Sequence, residues 1–324
     1  MRRLQALFNP ERYHGWGKHK KYFEGWYYKM INRDNNAAIA VIPGIGMDST
    51  GRQQAFVQVL DGINQKSEYH KFEASAFKPA SGKFELHIGA NYFSQETISL
   101  DLPDLKGRLE FEHQVAWPKK WYSPGIMGPF TFVPLMECYH GILSMDHSIK
   151  GVLTFHGRDI DFSGGAGYME KDWGHSFPSA YIWMQSNHFS QPGISLKSSV
   201  AKIPWLGSSF TGFIAGLYIH GKLISFTTYN SGKLLQSFAD KNSVSLIYEN
   251  STYRLEINAE RQKATSLASP VSGFMDGRIN ESMTDRIHFK LFDKHTKELL
   301  HQDSGDYAAV EVAGAIEEIR IPKK

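Results

Sequence analysis

The chain has a single cysteine among 324 residues, Cys138, so no internal disulfide can close and nothing resembles a thiolate zinc site. A reducing compartment fits. The opening "MRRLQALFNPERYHGW" has two arginines but no apolar run of signal-peptide length before Asn9 and Pro10, and a cytoplasmic location is expected. Helical periodicity is also scarce: only the short "AAVEVAGAIEEIR", from Ala308 to Arg320, has a 3.6-residue pattern. The one membrane-length apolar stretch, Gly125 to Leu143, contains Pro129, Pro134, Glu137 and His140, which argue against a spanning helix. Formal charge is only +3, and no basic cluster is interleaved with regularly spaced aromatics, which excludes nucleic acid as the expected partner. The fourteen histidines include no HxH or HExxH pair, so no metal is expected. "PGIG" (Pro43 to Gly46) and "SGGAG" (Ser163 to Gly167) lack the setting of a phosphate cradle and read as turns. The absence of a G-x-S-x-G elbow and of a local protease signature around Cys138 leaves covalent hydrolysis unsupported.

What the sequence does contain is strands. "QAFVQVLDG", "KFELHIGANYF", "ETISLDL" and "GFIAGLYIHGKLISFTTYN" are short apolar or alternating runs broken by Gly, Asp, Asn and Pro. His220-Gly221-Lys222 and Glu249-Asn250-Ser251 read as hairpin turns. The length exceeds what one core usually serves, so two domains are expected, nearly all β, as sandwiches or as barrels able to enclose a small ligand. "YFEGWYYKM" and "YMEKDWGHSF" echo one another with Glu24 and Glu170 in matching places, which suggests a duplicated unit. The boundary is placed at "SGGAG", giving domains 1–165 and 166–324.

"GYMEKDWGHSFPSAYIWMQSNHF", Gly167 to Phe189, mixes carboxylates with aromatics as neither an ordinary surface turn nor an ordinary core does. A carboxyl among indole and phenyl rings is poorly solvated as an anion and can hold a proton, which makes Asp172 and Glu170 candidate general acids, with Glu24 third. The rings of Trp26, Trp173, Tyr181 and Trp183 can also stabilise a cation. Alternation puts Gln185 and Asn187 on one strand face with Trp183 and Phe189, a face expected to look into a barrel. The competing reading makes Glu170-Lys171-Asp172 a solvated turn, Trp173 a packing plug and Glu24 a salt-bridged strand residue. His140, His147, His175 and His188 flank the region, where a histidine binds a carboxylate, binds a substrate hydroxyl or simply packs.

Three motifs, "KYFEGWYYKM", "FVPLMECYHGILSMDHSIKG" and "GYMEKDWGHSFPSAYIWMQSNHF", resemble the tocopherol cyclases of plants and cyanobacteria and their bacterial relatives. The resemblance implies two lipocalin-like antiparallel β-barrel domains, an architecture shared with carotenoid hydratase-like proteins. It also implies closure of a chromanol ring from a prenylated quinol, with no redox cofactor and no metal. The matching positions are Glu24, Trp26, Glu170, Asp172, Trp173, Trp183, Gln185 and Asn187; Tyr181 and His188 adjoin them as further substrate-binding candidates. Where the family often reads Gln-Cys-Asn, this chain has Gln185-Ser186-Asn187.

The expected partner is therefore a small apolar isoprenoid or prenylquinol, with transient membrane-surface contact following from such a substrate. Two other readings stay open. A hydratase would trap the same cation with water, and a lipid-binding protein would use the fold without catalysis. An interaction scaffold has no charged tail, repeat array or docking stripe to support it.

Overall fold

The computed structural model describes residues 2–205 and 207–322. After a short helix α1 (Arg2–Leu7), the first sheet contains β1 (Tyr22–Ile31), β2 (Ala38–Met47), β3 (Gln53–Asp61), β4 (Lys66–Glu73), β5 (Phe77–Pro79), β6 (Glu85–Ile88), β7 (Asn91–Ser94), β8 (Thr97–Asp101), β9 (Leu105–Glu112), β10 (Cys138–Phe155), β11 (Arg158–Asp161) and β12 (Ala166–Gly174). Its order is β4-β3-β2-β1-β12-β10-β9-β8-β7-β6-β5, with β11 on β10. The second contains β13 (Ala180–Ser186), β14 (Ser195–Trp205), β15 (Ser208–Ile219), β16 (Lys222–Thr227), β17 (Lys233–Ala239), β18 (Ser243–Glu249), β19 (Tyr253–Glu260), β20 (Thr265–Val271), β21 (Phe274–Asp293) and β22 (Leu299–Gly314). Its order is β16-β15-β14-β13-β22-β21-β19-β18-β17, with β20 on β21. Both sheets are antiparallel and lipocalin-like.

Each sheet buries one face over its own core, as period-2 alternation requires. In the first, Trp26, Tyr28 and Met30 of β1 join Val41, Val57, Leu109, Met169 and Trp173. In the second, Ile182 and Met184 of β13 join Leu196, Leu217, Leu246, Ile257, Phe289 and Val310. The predicted hairpins are present: His220 and Gly221 adopt φ of 52° and 73° between β15 and β16, the left-handed pair that a tight two-residue turn needs.

The division of the chain differs from the boundary placed at 165/166. One compact unit runs up to Phe177 and takes in Leu267–Arg278; the other comprises Pro178–Ser266 and the chain from Ile279 onward. The reason is strand pairing, since β12 inserts between β1 and β10 and so belongs to the first sheet. The tip of the β20–β21 hairpin returns to the first unit, where Met47 N–H donates to Gly273 O at 2.7 Å and Ala268 N–H to Gln58 Oε1 at 2.8 Å. The echoed motifs lie side by side in one sheet, Glu24 opposite Trp173 and Tyr27 opposite Glu170, so they do not mark equivalent strands of two repeats.

Two local readings also change. "PGIG" is interior to β2 and not a turn: a Cβ at Gly44 would sit 2.5 Å from Phe56 Cζ and 2.6 Å from Glu24 O, so glycine there permits close packing. "AAVEVAGAIEEIR" continues β22 to Gly314 and only then turns through a short 3-10 segment, Ile316–Ile319; pairing with β13 overrides its weak helical pattern. Gly125 to Leu143 forms a 3-10 turn at Gly128–Phe132 and then enters β10. Among the described residues no helix is long and apolar enough to cross a membrane.

Candidate functional site

Strand β12 is the element on which the candidates turn. Glu170, Lys171 and Asp172 are consecutive in an extended strand and not a solvated turn, so alternation sends Lys171 to one face and both carboxylates to the other. Lys171 shares the core face with Met169 and Trp173, whereas Tyr168, Glu170 and Asp172 lie on the opposite face. The three acid candidates therefore fall into two separate arrangements.

On the core face, Lys171 is fully buried and its Nζ lies 2.5 Å from Glu24 Oε1. The ammonium also donates to Pro10 O at 3.1 Å, to Arg12 O and to His14 Nδ1 at 2.8 Å. Glu24 accepts further bonds from the backbone N–H groups of His14 and Gly15 and from Tyr22 Oη at 2.5 Å. Burial pushes Lys171 down to about 8, against the pull of Glu24. Burial by itself raises Glu24, but Lys171 and His14 outweigh it and hold the carboxyl below its usual range. Burial, then the Lys171 charge, lowers His14. At neutral pH this is an ammonium, a carboxylate and a neutral imidazole accepting at Nδ1. Glu24 is thus an ionised structural acceptor and not a reservoir of a transferable proton.

The same geometry reassigns two aromatics. Lys171 Nζ lies 4.8 Å from the Trp26 ring centroid and 4.7 Å from that of Trp173, and His14 stacks on Trp173 at 4.1 Å. The cation these indoles hold is the protein's own ammonium, in the position expected for a reaction intermediate.

On the other face, His140 of β10 stands opposite Asp172 of β12. Its Nδ1 lies 2.7 Å from Asp172 Oδ1 and its Nε2 lies 3.5 Å from Glu170 Oε2. Tyr168 Oη donates to Glu170 Oε2 at 2.5 Å, and the Cys138 thiol donates to Asp172 Oδ1 at 3.8 Å. Burial, then Glu170, raises the Tyr168 phenol far above its usual range; burial, then Asp172, does the same to Cys138. Both stay protonated, so they are donors here and Cys138 is no nucleophile. Glu170 is buried, while Asp172 and His140 are partly exposed. The cluster can hold one proton among two carboxylates and an imidazole and release it on the more open side. The three ligand-bearing atoms lie within 4.8 Å of one another, and a second such group is Glu68, Asp104 and His156. Cross-strand register thus creates ligand-like groupings that no local histidine spacing announces.

In the second unit, Tyr181, Trp183 and Gln185 occupy the face of β13 turned away from the core formed by Ile182 and Met184. The expectation that this face looks into a barrel is corrected: the inward side chains are the aliphatic ones. Register places Gln185 opposite Lys197 and Trp183 opposite Ser199 and Glu311. Tyr181 Oη donates to Glu311 Oε2 at 2.9 Å, and Lys197 Nζ to Ser199 Oγ at 2.8 Å. Asn187 and His188 follow the end of β13, with His188 Nδ1 3.1 Å from Asn187 Oδ1. Phe189 packs against the core and so leaves the face assigned to it. Ser186, the departure from the family pattern, donates to Asp306 O at 2.7 Å and ties the end of β13 to the Asp306 backbone.

Tyr168, Lys197, Glu311 and His14 were not among the sequence candidates, and His140 was named only as a flanking histidine. Their partners are 2 to 157 residues away. Tyr168, two residues before Glu170, and Lys197, two before Ser199, have a local signal: same-face alternation on a strand.

A family model described as tocopherol cyclase-like matches residues 106–314. The probable tocopherol cyclase, chloroplastic, of Oryza sativa subsp. japonica is 27% identical over 143 residues, covering 42% of this chain and 30% of that protein. The tocopherol cyclase, chloroplastic, of Zea mays is 24% identical over 193 residues, covering 56% of this chain and 40% of that protein. The matches thus span well under half the length of these plant relatives. Among solved structures, CghA with Sch210972 aligns with a TM-score of 0.57 at 11% identity, over 90% of this chain and 88% of that one. A putative AttH from Nitrosomonas europaea gives 0.53 at 12% identity, over 91% and 93%. These two show a common fold. Because the family match takes in β10, β12 and β13, and most of the chain with them, the chain belongs to the tocopherol cyclase-like family.

Proposed function

We propose that this protein is a cyclase that closes a prenylated quinol to a chromanol by proton transfer from the His140–Asp172–Glu170 cluster. The observation that carries the reading is the placing of one imidazole between two carboxylates, 2.7 Å from Asp172 and 3.5 Å from Glu170, in a member of the tocopherol cyclase-like family. Asp172 or Glu170 delivers the proton to the less substituted alkene carbon, the alkene electron pair forms the C–H bond, and a tertiary cation is left. The phenolic oxygen attacks that cation and its proton returns to the cluster, so substrate and product are isomers. His140 fixes Asp172 and supplies the path by which the proton is restored. The chemistry uses side chains alone.

The test is conversion of a prenylated hydroquinone by purified protein, followed by mass spectrometry. An unchanged mass identifies cyclisation, and the gain of one water identifies the hydratase reading. Asp172→Asn and Glu170→Gln are expected to lower kcat by about 10²-fold or more with the fold intact. His140→Gln should shift the pH profile as well as lower kcat. Full rate in both carboxylate variants sinks the acid assignment. Chelation followed by dialysis should leave turnover unchanged; a loss restored by zinc would move the chemistry from a proton to a metal.

A further inference from the structure

The first unit displays an apolar surface that nothing in its own fold covers. Leu135 is 91% exposed and Trp121 82%, and Leu4, Phe8, Tyr122 and Phe132 are also exposed. These six come from two segments, residues 4–8 and 121–135, that pack against each other. The Phe8 and Phe132 rings are 5.6 Å apart, Lys119 Nζ lies 2.7 Å from Glu11 Oε2, and Pro10 lies under Gly125. Phe8 and Phe132 are thus in contact, and the two joined segments also carry the other four exposed side chains, Trp121 packing edge-on against Tyr122. The same segments are basic in sequence: residues 2–21 carry six lysines and arginines against the single carboxylate of Glu11, and Lys119 and Lys120 precede Trp121. Arg3 Nε donates to Trp16 O at 2.6 Å, which joins the Lys18–Lys21 run to α1.

We infer that this surface docks the protein on an anionic lipid bilayer, with Trp121 and Leu135 entering the interface and the lysines and arginines facing lipid phosphates. Exposed Trp and Tyr beside Leu and Phe, with cations in the same segments, is the chemistry that binds a headgroup boundary, where indole and phenol suit a region apolar on one side and wet on the other. Each basic residue near an anionic surface adds to the attraction, which supplements a shallow apolar insertion too small to hold alone. A second copy of the chain is the poorer occupant, because a symmetric interface would bring the basic segments of the two copies together. The inference stands on the surface and does not require the cyclase reading, which it complements by placing the protein where prenyl chains partition.

The experiment is flotation of the full chain with vesicles of phosphatidylcholine alone or mixed with phosphatidylglycerol, at low and high salt. Binding is expected only with phosphatidylglycerol and should weaken with salt. Trp121→Ala with Leu135→Ser should reduce partitioning by about tenfold or more. Lys20→Glu with Lys120→Glu should abolish the preference for anionic vesicles. All four side chains are exposed, so the variants should melt as the parent does, and turnover of a detergent-dispersed substrate should be unchanged whether or not the cyclase assignment holds. No flotation of the parent, or equal flotation of the apolar variant, overturns the inference. A lipid-free dimer that the same variants dissolve also overturns it, since the patch would then be a self-interface.

Discussion

Two indole rings and four polar groups converge on Lys171 Nζ, and none belongs to Glu170 or Asp172 beside it in the chain. At this scale the energetics are those of a buried ion pair, where losing one partner costs more than losing both. Glu24→Gln should destabilise the fold by about 3–5 kcal/mol because it leaves the ammonium buried and unpaired. Adding Lys171→Met should recover much of that loss, as measured by urea denaturation of the double-mutant cycle; equal destabilisation in the double variant would show that Glu24 matters for its backbone partners instead. A pH dependence follows from the lowered Lys171. Its folded value of about 8 lies below the ordinary 10.5, so in that window the unfolded chain binds more protons and stability rises with pH. Between pH 8 and 9, the ordinary cysteine value, the parent's denaturation midpoint should climb, by at most about 1.4 kcal/mol per pH unit in stability; above that the unfolded Cys138 thiol, and then the tyrosines, lose protons that their buried counterparts keep, which offsets the climb. Lys171→Met should abolish the climb.

Strand β12 shows how alternation sorts chemistry between faces. "MEKDW" gives the period, and the period alone says that Lys171 parts company with Glu170 and Asp172. Which face meets the core depends on the β1 and β10 partners, and the same holds for Tyr181, Trp183 and Gln185 on β13. The aromatic content of both motifs was legible; its division between a core and a polar face was not. Glycine in β2 is another element-scale effect. Gly44→Ala would force a methyl against Phe56 and the Glu24 carbonyl, and a loss of about 1–3 kcal/mol is expected in thermal or urea melts. A neutral result would mean that Phe56 can rotate aside.

For the molecule as a whole, the division into two units follows strand partners and not sequence midpoints. A fragment ending at residue 165 lacks β12, the strand between β1 and β10, and should leave the first sheet split and the fragment aggregated. The complete chain should show slow amide exchange across β1, β12 and β10 together. Fast exchange confined to β12 would put that strand outside the cooperative sheet.

The sequence by itself determined the β class, the hairpins, the family resemblance and the stretch that carries the carboxylates, because alternation, turn chemistry and motif are local properties. Tertiary structure decided which carboxylate meets Lys171, which meets His140, and which face of β13 carries Trp183 and Gln185. Those outcomes depend on register between strands distant in the chain, and a one-residue change of register would exchange the two faces without altering a single local signal.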